Sequence, residues 1–493
     1  MWPTVPPQWL PLLLTGLLFS YLFSFLVCSG RRSAVAVVVL GDIGRSPRMQ
    51  YHCGSLADLP GTVVHIVAFR GERCVPSLEG RANVVPHLLG TPFGGCPRRL
   101  FLLYAPLKVA WQVAQLLFTL LWIPAPRAVL VQNPPSIPTL AAVWCVCALR
   151  GSRMVIDWHN FGYTILGLSL GEGHPLVTVS RLHERLCARR ASAHLCVTNA
   201  MRLWLLDTWG VRARLLYDRP PPFFRAAQVS EKHDLFCRLA QQLPSPPPSA
   251  NGGGVAAPGK AVPRGRARSG ARPASPLEQR QRTLVTHVDA RTGGPVLSPS
   301  RPAVLVSSTS WTADEDFGML LRALQALDAA ISLPRRRASF PDFLVLITGK
   351  GPLKEDFERL AEALKLQRVS IRTLWLSPSD YPLLLGSADC GISLHASSSG
   401  LDLPMKVVDM FGAGLPVCAL GFSCLPELVQ HDINGLIFRN EVELEGQLED
   451  LFEGYPDKDP SLGRLARLRK GVAASLQSRW EENWLQNAKP LFE

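Results

Sequence analysis

The chain has 493 residues, of which 47% are hydrophobic and 18% charged, and it carries a net charge of +13. This length exceeds what one compact core usually supports, so two domains are expected. The 12 cysteines show no CxxC spacing and the basic residues are not interleaved with aromatic ones, which disfavours zinc fingers and a nucleic-acid interface. The basic excess suits phosphate-bearing ligands or an anionic membrane surface, and the unpatterned cysteines suit a reducing compartment.

The first predicted element is an apolar stretch from Trp9 to Cys28 that contains no charged side chain. About twenty such residues can span a bilayer as a helix. No positive segment precedes the stretch, and Arg31 and Arg32 follow it, which favours a retained signal-anchor over a cleaved signal peptide. Residues 1–32 are therefore predicted to form a single-pass transmembrane anchor. The positive-inside rule then predicts that the rest of the chain lies in the cytosol.

Runs of strand-forming residues follow the anchor, beginning with the unbroken apolar run from Ala34 to Leu40. Similar runs occur at 62–69, 128–132, 154–157 and 194–198. Apolar runs without alternation are typical of strands buried on both faces of a parallel sheet. Since helical segments separate them, residues 33–225 are predicted to form a Rossmann-like α/β domain. This domain is assigned to the acceptor, the substrate that would receive a transferred sugar.

One helical segment of this domain, residues 101–123, is strongly apolar. Its polar residues Lys108, Gln112 and Gln115 fall on one face at helical spacing, which disfavours a free transmembrane span. A helix that dips into a membrane interface and an ordinary buried helix both remain open.

Composition changes after the first domain, and residues 226–301 are predicted to be a linker. Its stretch 243–302 is rich in Pro, Gly, Ser and Arg and is expected to be disordered. The α/β alternation resumes over 302–475, a second Rossmann-like domain, with strands predicted at 303–306, 343–348, 390–394 and 416–419. Residues 476–493, with Trp480 and Trp484, are predicted as a helix that packs back on the first domain. Two such domains facing a cleft are the GT-B architecture.

The segment Ser397–Gly412 is the main candidate for a nucleotide-sugar site in the second domain. It places a small polar loop before Pro404, a residue suited to the first turn of a helix. Backbone N–H groups at such a start bind diphosphates, and Lys406 adds positive charge. A capped surface helix with a solvated Lys406 and a salt-bridged Asp409 is the alternative. The residues of this segment assigned to the donor are Ser399, Gly400, Asp402, Lys406 and Asp409.

Two further loops follow strands of the same domain, and both are predicted to contribute to the donor site. Glycines in 348–352 allow close backbone approach to a ligand. The donor residues in these loops are predicted to be Ser308, Thr309, Ser310, Gly349, Lys350 and Gly351. The acidic run 314–316 is interpreted as a helix cap rather than a metal-binding motif. No essential protein-bound metal, no tightly bound cofactor and no requirement for a divalent cation are expected.

Loops after three strands of the first domain combine acids, aromatic rings, amides and arginines at predicted strand ends. His159, Asp157 and Asp42 are the candidates for a catalytic base, in that order. The residues assigned to the acceptor are Gly41, Gly44, Arg45, Arg48, Asn133, Trp158 and Asn160. A purely structural role for His159 remains open.

The motifs together resemble those of the eukaryotic chitobiosyldiphosphodolichol β-mannosyltransferases, over nearly the whole chain outside the anchor and the insert. The segments that carry the resemblance are Gly41–Gln50, Gln132–Pro135, Asp157–Asn160, Cys196–Met201, Ser307–Phe317, Ile347–Pro352 and Ser397–Gly412. The resemblance implies an inverting GT-B enzyme that transfers the first mannose from GDP-mannose, in β-1,4 linkage, to GlcNAc₂ on dolichyl diphosphate. It also implies the cytosolic face of the endoplasmic reticulum, lipid-linked oligosaccharide assembly for N-glycosylation, and association with other mannosyltransferases of that assembly.

Two other functions remain open as alternatives, although one position departs from the motif of retaining GT-B enzymes in a way that fits an inverting transfer. Asp409 matches the first glutamate of the motif of many retaining GT-B enzymes, but the position of their second glutamate is Leu401 here, which cannot replace it. The alternatives are a retaining GT-B transferase that uses another nucleotide sugar, such as UDP-GlcNAc, and a catalytically silent membrane-bound scaffold.

Overall fold

The computed structural model describes residues 33–90, 101–244, 281–312, 315–456, 463–476 and 479–493. These residues form two compact units. Unit 1 contains the described residues up to Asp218, the loop Ser397–Leu403 and residues 479–493. Unit 2 contains the described residues of 219–396 and of 404–476. The predicted anchor (1–32) and residues 245–280 of the predicted insert lie outside the described residues.

Unit 1 is built on a seven-stranded parallel sheet with the strand order β3-β2-β1-β4-β5-β6-β7. The strands are β1 (Ala34–Asp42), β2 (Val63–Phe69), β3 (Val84–Leu89), β4 (Ala128–Asn133), β5 (Arg153–Trp158), β6 (Ala193–Cys196) and β7 (Arg214–Leu215). The chain builds outward from β1 on one side and then from β4 on the other. Ligands of open α/β sheets bind at the carboxyl ends of the strands beside such a switch point.

Helices cover both faces of this sheet because successive residues of its strands are buried on opposite sides. Those with described bounds in unit 1 are α1 (Pro47–Ala57), α2 (Phe101–Trp122), α3 (Thr139–Arg150), α4 (Gly162–Leu170), α5 (Pro175–Ala188), α6 (Asn199–Trp204) and, beyond unit 2 in the chain, α14 (Trp480–Asn487). Val37 belongs to the core cluster that includes residues of α1 and α14. Val38 belongs to the cluster that includes residues of α2, α3 and α5.

Unit 2 contains a six-stranded parallel sheet with the order β12-β11-β10-β13-β14-β15, and a two-stranded antiparallel sheet of β8 and β9. The strands are β8 (Thr286–Val288), β9 (Pro295–Leu297), β10 (Ala303–Ser308), β11 (Phe343–Thr348), β12 (Val369–Leu374), β13 (Cys390–Ser393), β14 (Val417–Leu420) and β15 (Gly435–Phe438). The helices are α7 (Val229–Arg238), α8 (Phe317–Ser332), α9 (Lys354–Ala363), α10 (Asp380–Ser387), α11 (Met405–Gly412), α12 (Glu441–Phe452) and α13 (Arg464–Ser475).

The segment predicted as a linker, 226–301, differs from that prediction. It contains α7, whose Leu235 and Phe236 are buried, and the β8–β9 hairpin. Leu235 packs in the same core cluster as residues of β10 and β11, so this part of the segment belongs to the fold of unit 2.

The C-terminal helix α14 lies in unit 1, where Trp480 and Trp484 are buried. The indole Nε1 of Trp480 donates to Oγ of Ser55 at 3.0 Å, and Nε1 of Trp484 donates to Nδ1 of His52 at 2.9 Å. This helix thus completes one face of the sheet.

Within the described part of the chain, none of the helices has the length and apolar character needed to cross a bilayer. In α2 the inward side chains Leu116 and Leu120 are buried, so this helix contributes to the core. Gln115 accepts from the backbone N–H of Gly90 and donates to its carbonyl, which fixes α2 against the end of β3.

Candidate active site

A buried carboxylate at the end of β5 organises the site of unit 1. Asp157 is fully buried and accepts from Arg48 through both oxygens, Nε to Oδ2 at 2.8 Å and Nη2 to Oδ1 at 2.9 Å. Arg48 also donates to Asp218 at 2.7 Å and to the carbonyl of Leu216 at 2.9 Å. Burial by itself disfavours the charged carboxylate, but Arg48 and His159 outweigh it and hold the pKa of Asp157 well below its ordinary value. Asp157 is therefore an anion at neutral pH.

Two histidines approach this carboxylate. Nε2 of His159 lies 2.8 Å from Oδ2 of Asp157, and Nε2 of His52 lies 3.2 Å from the same oxygen. Nδ1 of His52 accepts from the indole of Trp484, a group that is only a donor, so the proton of neutral His52 resides on Nε2. Burial lowers the pKa of His52, which keeps it neutral. The side chain of His159 is 23% exposed and is the one of the two that a ligand can reach.

The ionised Asp157 fixes the tautomer of His159. A carboxylate only accepts hydrogen bonds, so the proton of neutral His159 lies on Nε2 and Nδ1 is left as the basic nitrogen. Such an imidazole, oriented by a buried carboxylate, has the arrangement of a general base.

The loop Ser397–Leu403 belongs to unit 1 and joins this corner through Asn160. The amide Nδ2 of Asn160 donates to Oδ1 of Asp402 at 2.9 Å and to Oγ of Ser398 at 3.1 Å. Ser397 also bonds to Asp402, and Thr198 donates to the carbonyl of Leu401 at 2.6 Å. The predicted donor residue Asp402 thus contacts Asn160, which the sequence assigned to the acceptor, and Ser399 and Gly400 belong to the same loop.

A second buried acid braces the same corner. Glu184 accepts from the backbone N–H of Gly162 at 2.7 Å and from Nδ2 of Asn133 at 3.3 Å. Asn133 in turn donates to the carbonyl of Asn160, and its own carbonyl accepts from the N–H of His159. Burial raises the pKa of Glu184 to about 7. Asn133 is fully buried, so it supports the corner as a brace.

Three residues assigned from the sequence have side chains committed elsewhere, which corrects their predicted roles. Trp158 is buried, donates to Nδ1 of His194 at 3.2 Å and packs on Phe161, because it points to the opposite face of the strand from Asp157. Arg48 is buried in its pair with Asp157 and is not available as a surface phosphate ligand. The two oxygens of Asp42 accept from backbone N–H groups of Gly44 and Glu72, so this carboxylate caps a turn rather than facing a hydroxyl.

The remaining predicted residues of this loop keep accessible positions. Gly41 is half-buried and Arg45 is exposed, so Arg45 is the arginine of the loop able to meet a phosphate. Gly44 is half-buried, and a Cβ there would lie 2.4 Å from the carbonyl oxygen of Glu72, so only glycine fits.

In unit 2 the predicted donor loops follow strands β10 and β11, which are neighbours in the sheet. A Cβ at Gly349 or at Gly351 would lie 1.8 Å from the backbone oxygen of Thr309 or of Ser310, respectively. Both glycines are therefore required for the two loops to pack together. Nζ of Lys350 lies 3.7 Å from the ring centroid of Trp375, and the lysine itself is exposed.

Lys406 is part of a buried network instead of being solvated. Its Nζ donates to Oε1 of Glu315 at 2.5 Å, and Oε2 of Glu315 accepts from the hydroxyl of Thr309 at 2.5 Å. Thr309 Oγ1 also accepts from the N–H of Trp311. The first turn of α11, which carries Lys406, is thereby tied to the loop after β10. The side chain of Pro404, at the N-cap of α11, has no donor or acceptor, so no side chain caps this helix, and the N–H of Val407 donates to the carbonyl of Pro404.

Other predicted donor residues lie around the same strand ends. Ser308 shares a hydrogen bond of 3.1 Å with the hydroxyl of Tyr381. Burial and the charge of Asp409 raise the pKa of Tyr381, which indicates that Asp409 lies near that hydroxyl. Asp409 and Lys406 are both half-buried.

Sequence reasoning missed Glu184, His52 and Glu315. His52 had a usable signal, because it lies four residues after Arg48 and so on the same face of α1. Glu315 was interpreted as part of a helix cap, whereas the capping residue is Asp316, whose Oδ1 accepts from the N–H of Met319. Among the described residues, no group of three or more metal-ligating side chains is arranged to hold an ion.

Comparisons with known proteins also indicate a glycosyltransferase. Residues 297–467 match the family model for glycosyl transferases group 1. The chain is 43% identical over 459 residues to the chitobiosyldiphosphodolichol beta-mannosyltransferase of Homo sapiens, covering 93% of this chain and 92% of that protein. It is also 43% identical over 477 residues to the UDP-glycosyltransferase TURAN of Arabidopsis thaliana, covering 94% and 98%. Sucrose-phosphate synthase from Thermosynechococcus elongatus aligns with a TM-score of 0.60 at 12% identity, covering 94% and 98%, and shows the fold alone.

Proposed function

Because this chain belongs to the chitobiosyldiphosphodolichol beta-mannosyltransferases, we propose that it transfers mannose from GDP-mannose to chitobiose on dolichyl diphosphate. The chain is a glycosyltransferase, and the α/β GT-B fold class predicted from its sequence is confirmed. The transfer forms a β-1,4 linkage and adds the first mannose of the lipid-linked oligosaccharide made for N-glycosylation.

The observation that carries this proposal is the oriented imidazole of His159, 2.8 Å from the buried anion of Asp157. In a single displacement, a hydroxyl oxygen of the acceptor attacks C1 of mannose and forms the new glycosidic bond. The bond from C1 to the phosphate oxygen breaks, and its electron pair leaves with GDP. The hydroxyl proton passes to Nδ1 of His159, while Asp157 stabilises the resulting imidazolium. One displacement inverts the anomeric carbon.

Unit 2 supports the departure of GDP. Lys406, held by Glu315 in the first turn of α11, and the exposed Lys350 supply positive charge for the pyrophosphate. Backbone N–H groups of the α11 start add to this stabilisation, which is strongest where charge develops. Asp409 accepts from the ribose hydroxyls. The reaction, so written, uses no divalent cation and no bound cofactor.

The proposed location is the endoplasmic reticulum membrane, with the catalytic units in the cytosol and the segment 9–28 as the anchor. The arginines at 31 and 32 support this orientation. Association with other mannosyltransferases of the same assembly is proposed as well.

A second donor class is favoured by one observation. A relative of equal identity, TURAN, is named a UDP-glycosyltransferase, so a uridine diphosphate sugar is the competing donor. Leu401, whose side chain packs with the core of unit 1, cannot act as the second glutamate of a retaining enzyme. An inverting transfer therefore fits this chain better than a retaining one.

The decisive experiment incubates the full chain in mixed micelles with a short-chain lipid diphosphate chitobiose and radiolabelled GDP-mannose, UDP-GlcNAc or UDP-glucose. Transfer from GDP-mannose alone, to a product cleaved by β-mannosidase and not by α-mannosidase, supports the proposal. Transfer from a UDP-sugar, or an α-linked product, would overturn it. Absence of transfer from every donor, in a preparation that is folded and binds GDP, would support the silent scaffold.

A further inference from the structure

Two buried oxygen atoms behind the corner of His159 and Asn160 have no hydrogen-bond donor among the described residues. They are Oε2 of Glu184 and Oδ1 of Asn133, and both side chains are fully buried. A buried acceptor without a donor destabilises a fold, so each such atom in a native protein requires an explanation. The two side chains are neighbours, since Nδ2 of Asn133 lies 3.3 Å from Oε1 of Glu184. A single explanation can therefore account for both atoms.

The other contacts of these two side chains show which of their atoms accept and which donate. Oε1 of Glu184 accepts from the backbone N–H of Gly162 at 2.7 Å. Nδ2 of Asn133 donates to the backbone carbonyl of Asn160 at 3.1 Å. Because a carbonyl only accepts, this bond fixes the orientation of the amide and identifies its other terminal atom as the oxygen. Both atoms without a donor are thus acceptors, and two acceptors are joined only through a proton.

A proton on Oε2 of Glu184 would supply the missing donor to both atoms. The carboxylic acid then donates from Oε2 to Oδ1 of Asn133, while Oε1 continues to accept from Nδ2. A carboxylic acid and a primary amide have complementary donors and acceptors for such a pair of hydrogen bonds. An ionised Glu184 would leave Oε2 without a donor and would place a negative charge in a buried site.

The titratable groups that face Glu184 from the surrounding helices are neutral near neutral pH. On α4, burial raises the pKa of Tyr163 to about 12. Burial also raises the pKa of Cys147 on α3 to about 12 and that of Cys187 on α5 to about 11. His183 of α5, whose pKa burial lowers, is neutral as well. None of these groups stabilises a negative charge on Glu184.

The charged groups of the same elements lie in solvent or have other partners. Arg181 and Arg185 of α5 are exposed, and Arg150 of α3 donates to backbone carbonyls at the end of α2. Asp157 of β5 is paired with Arg48, and the loop 134–138 contains no titratable side chain. Burial consequently outweighs the hydrogen bonds from nearby donors, and the pKa of the Glu184 carboxyl rises from 4.5 to about 7.

Asn133 connects Glu184 to both polar residues that follow β5. Its backbone carbonyl accepts from the N–H of His159 at 2.9 Å, and its side chain donates to the carbonyl of Asn160. Asn160 in turn donates through Nδ2 to Oδ1 of Asp402 at 2.9 Å. A change in the pairing of Asn133 therefore affects His159 and Asn160 together.

We propose that Glu184 carries a proton in the resting protein, pairs with Asn133 as a carboxylic acid, and acts as a positioning residue for His159 and Asn160. Loss of this proton in mild alkali breaks the pair, because Oε2 then has no hydrogen to donate, and the corner loses its support. The effect on turnover rests on the proposed function, in which His159 is the base. The protonation itself can be measured without donor or acceptor.

The first test is infrared difference spectroscopy of the full chain in detergent micelles, comparing the parent with Glu184→Gln. A protonated carboxyl group absorbs at a higher frequency than the amide carbonyls, and glutamine lacks this band. We expect the parent to show the band at about pH 6 and to lose it with a midpoint near about 7. Its absence at about pH 6 would indicate an ionised carboxylate with an enclosed water, and would overturn the proposal.

Glutamine reproduces the donor and the acceptor of the protonated acid, so Glu184→Gln should keep the circular dichroism of the parent. Failure of this variant to fold would also contradict the proposed pair. Glu482→Gln, the same substitution at an exposed position of α14, is the matched control and should leave the infrared band in place. Loss of the band in Glu482→Gln would assign the proton to the wrong residue.

The second test follows the side-chain amide of Asn160 by nuclear magnetic resonance in chains labelled with ¹⁵N-asparagine. This amide does not titrate, so a pH-dependent shift reports a change in its surroundings. We expect a step near pH 7 in the parent and in Glu482→Gln, and none in Glu184→Gln. A step that persists in Glu184→Gln would exclude Glu184 as the residue that positions Asn160.

The transfer assay gives the functional readout. About one pH unit above the pKa, roughly a tenth of the parent chains retain the proton, so at about pH 8 turnover should be roughly 10-fold lower in the parent than in Glu184→Gln. Glu184→Ala, which removes the pair, should have low turnover at every pH. Equal losses in the alanine and glutamine variants would overturn the positioning role. Absence of transfer at every pH would refute the proposed function, whereas the infrared and resonance measurements would still decide this inference.

Discussion

Asp157 and His159, two residues apart at the end of β5, meet through a contact of 2.8 Å between Oδ2 and Nε2. In extended backbone, residues i and i+2 point to the same side, so the sequence spacing itself creates this pair. The residue between them, Trp158, points the other way into the core. The pair is fixed by Arg48, which bonds to both oxygens of Asp157. The proposed base is thus held by a buried ion pair rather than by a mobile loop.

Replacing His159 by alanine should impair chemistry without impairing donor binding. Loss of a general base lowers the turnover number by about 10²–10⁴-fold. We expect this loss in a transfer assay, with the dissociation constant for GDP unchanged in calorimetry. His431→Ala, an exposed histidine of unit 2, is the control and should retain parent turnover. Parent turnover in His159→Ala would exclude His159 as the base.

Replacing Asp157 by asparagine should destabilise the fold and also lower the activity. Removing one member of a buried ion pair leaves an uncompensated charge and costs about 3–5 kcal/mol. Asp218 remains as a partner of Arg48, so we expect the lower end of that range in urea unfolding. The double variant Asp157→Asn/Arg48→Met should lose less than the sum of the single variants. If the double variant loses as much unfolding free energy as the two single variants together, Asp157 and Arg48 are not coupled.

The stability of unit 1 should fall in mild acid because of His194. Burial lowers its pKa from 6.5 to about 4, and Nδ1 accepts from Trp158. Above its unfolded pKa the residue is neutral in both states, so its full contribution is present. As the pH falls toward the folded pKa, the unfolded chain binds the proton first, which costs on the order of 3 kcal/mol of unfolding free energy.

The measurement is the unfolding free energy as a function of pH, for the parent and for His194→Gln, whose amide oxygen can still accept from Trp158. The unfolding free energy of the variant should fall less steeply than that of the parent as the pH is lowered from 6.5 to about 4. Burial also lowers the pKa of His65 to about 4, so the unfolding free energy of both proteins should still decrease in this pH range. Identical slopes in the parent and the variant would contradict the prediction.

Neutralising the two lysines of unit 2 should weaken the binding of GDP. A hydrogen bond to a charged group contributes about 1.5–3 kcal/mol, so Lys350→Ala/Lys406→Ala should lower the affinity by roughly 10-fold or more. Lys489→Ala, a lysine of unit 1 that pairs with Glu493, is the control for a change of net charge. Calorimetric titration with GDP gives both values. Unchanged affinity in the double variant would remove these lysines from the donor site.

Gly351, in the loop after β11, should not tolerate a side chain. A Cβ at Gly351 would lie 1.8 Å from the carbonyl oxygen of Ser310, so Gly351→Ala should cost about 1–3 kcal/mol of unfolding free energy. Gly446→Ala is the matched control, because Gly446 lies inside α12 with open space around its Cβ position. Alanine there should instead stabilise the helix by about 0.5–1 kcal/mol. Chemical denaturation of both variants decides the comparison, and equal costs would contradict it.

Much of the fold could be predicted from the sequence. The unbroken apolar run that begins at Ala34 predicts a strand buried on both faces, and β1 has that burial. The helix α7 within the predicted linker was missed, because the composition of the insert that follows obscured its short amphipathic pattern. The positions of the loops after β10 and β11 were predicted correctly, since small polar residues directly follow their strands, while their role in donor binding stays a prediction.

The sequence alone determined which residue types stand at the strand ends, because strand period and loop position depend on neighbours along the chain. The tertiary structure decided which of them remain available. Arg48 and Asp157 lie 109 positions apart, and Glu315 and Lys406 lie 91 apart. No local pattern encodes such pairings, since they arise when separate strands and helices pack and a buried charge requires a partner. For that reason an arginine expected to bind phosphate became the support of a carboxylate, and a lysine assigned to the donor acquired a buried acid as its partner.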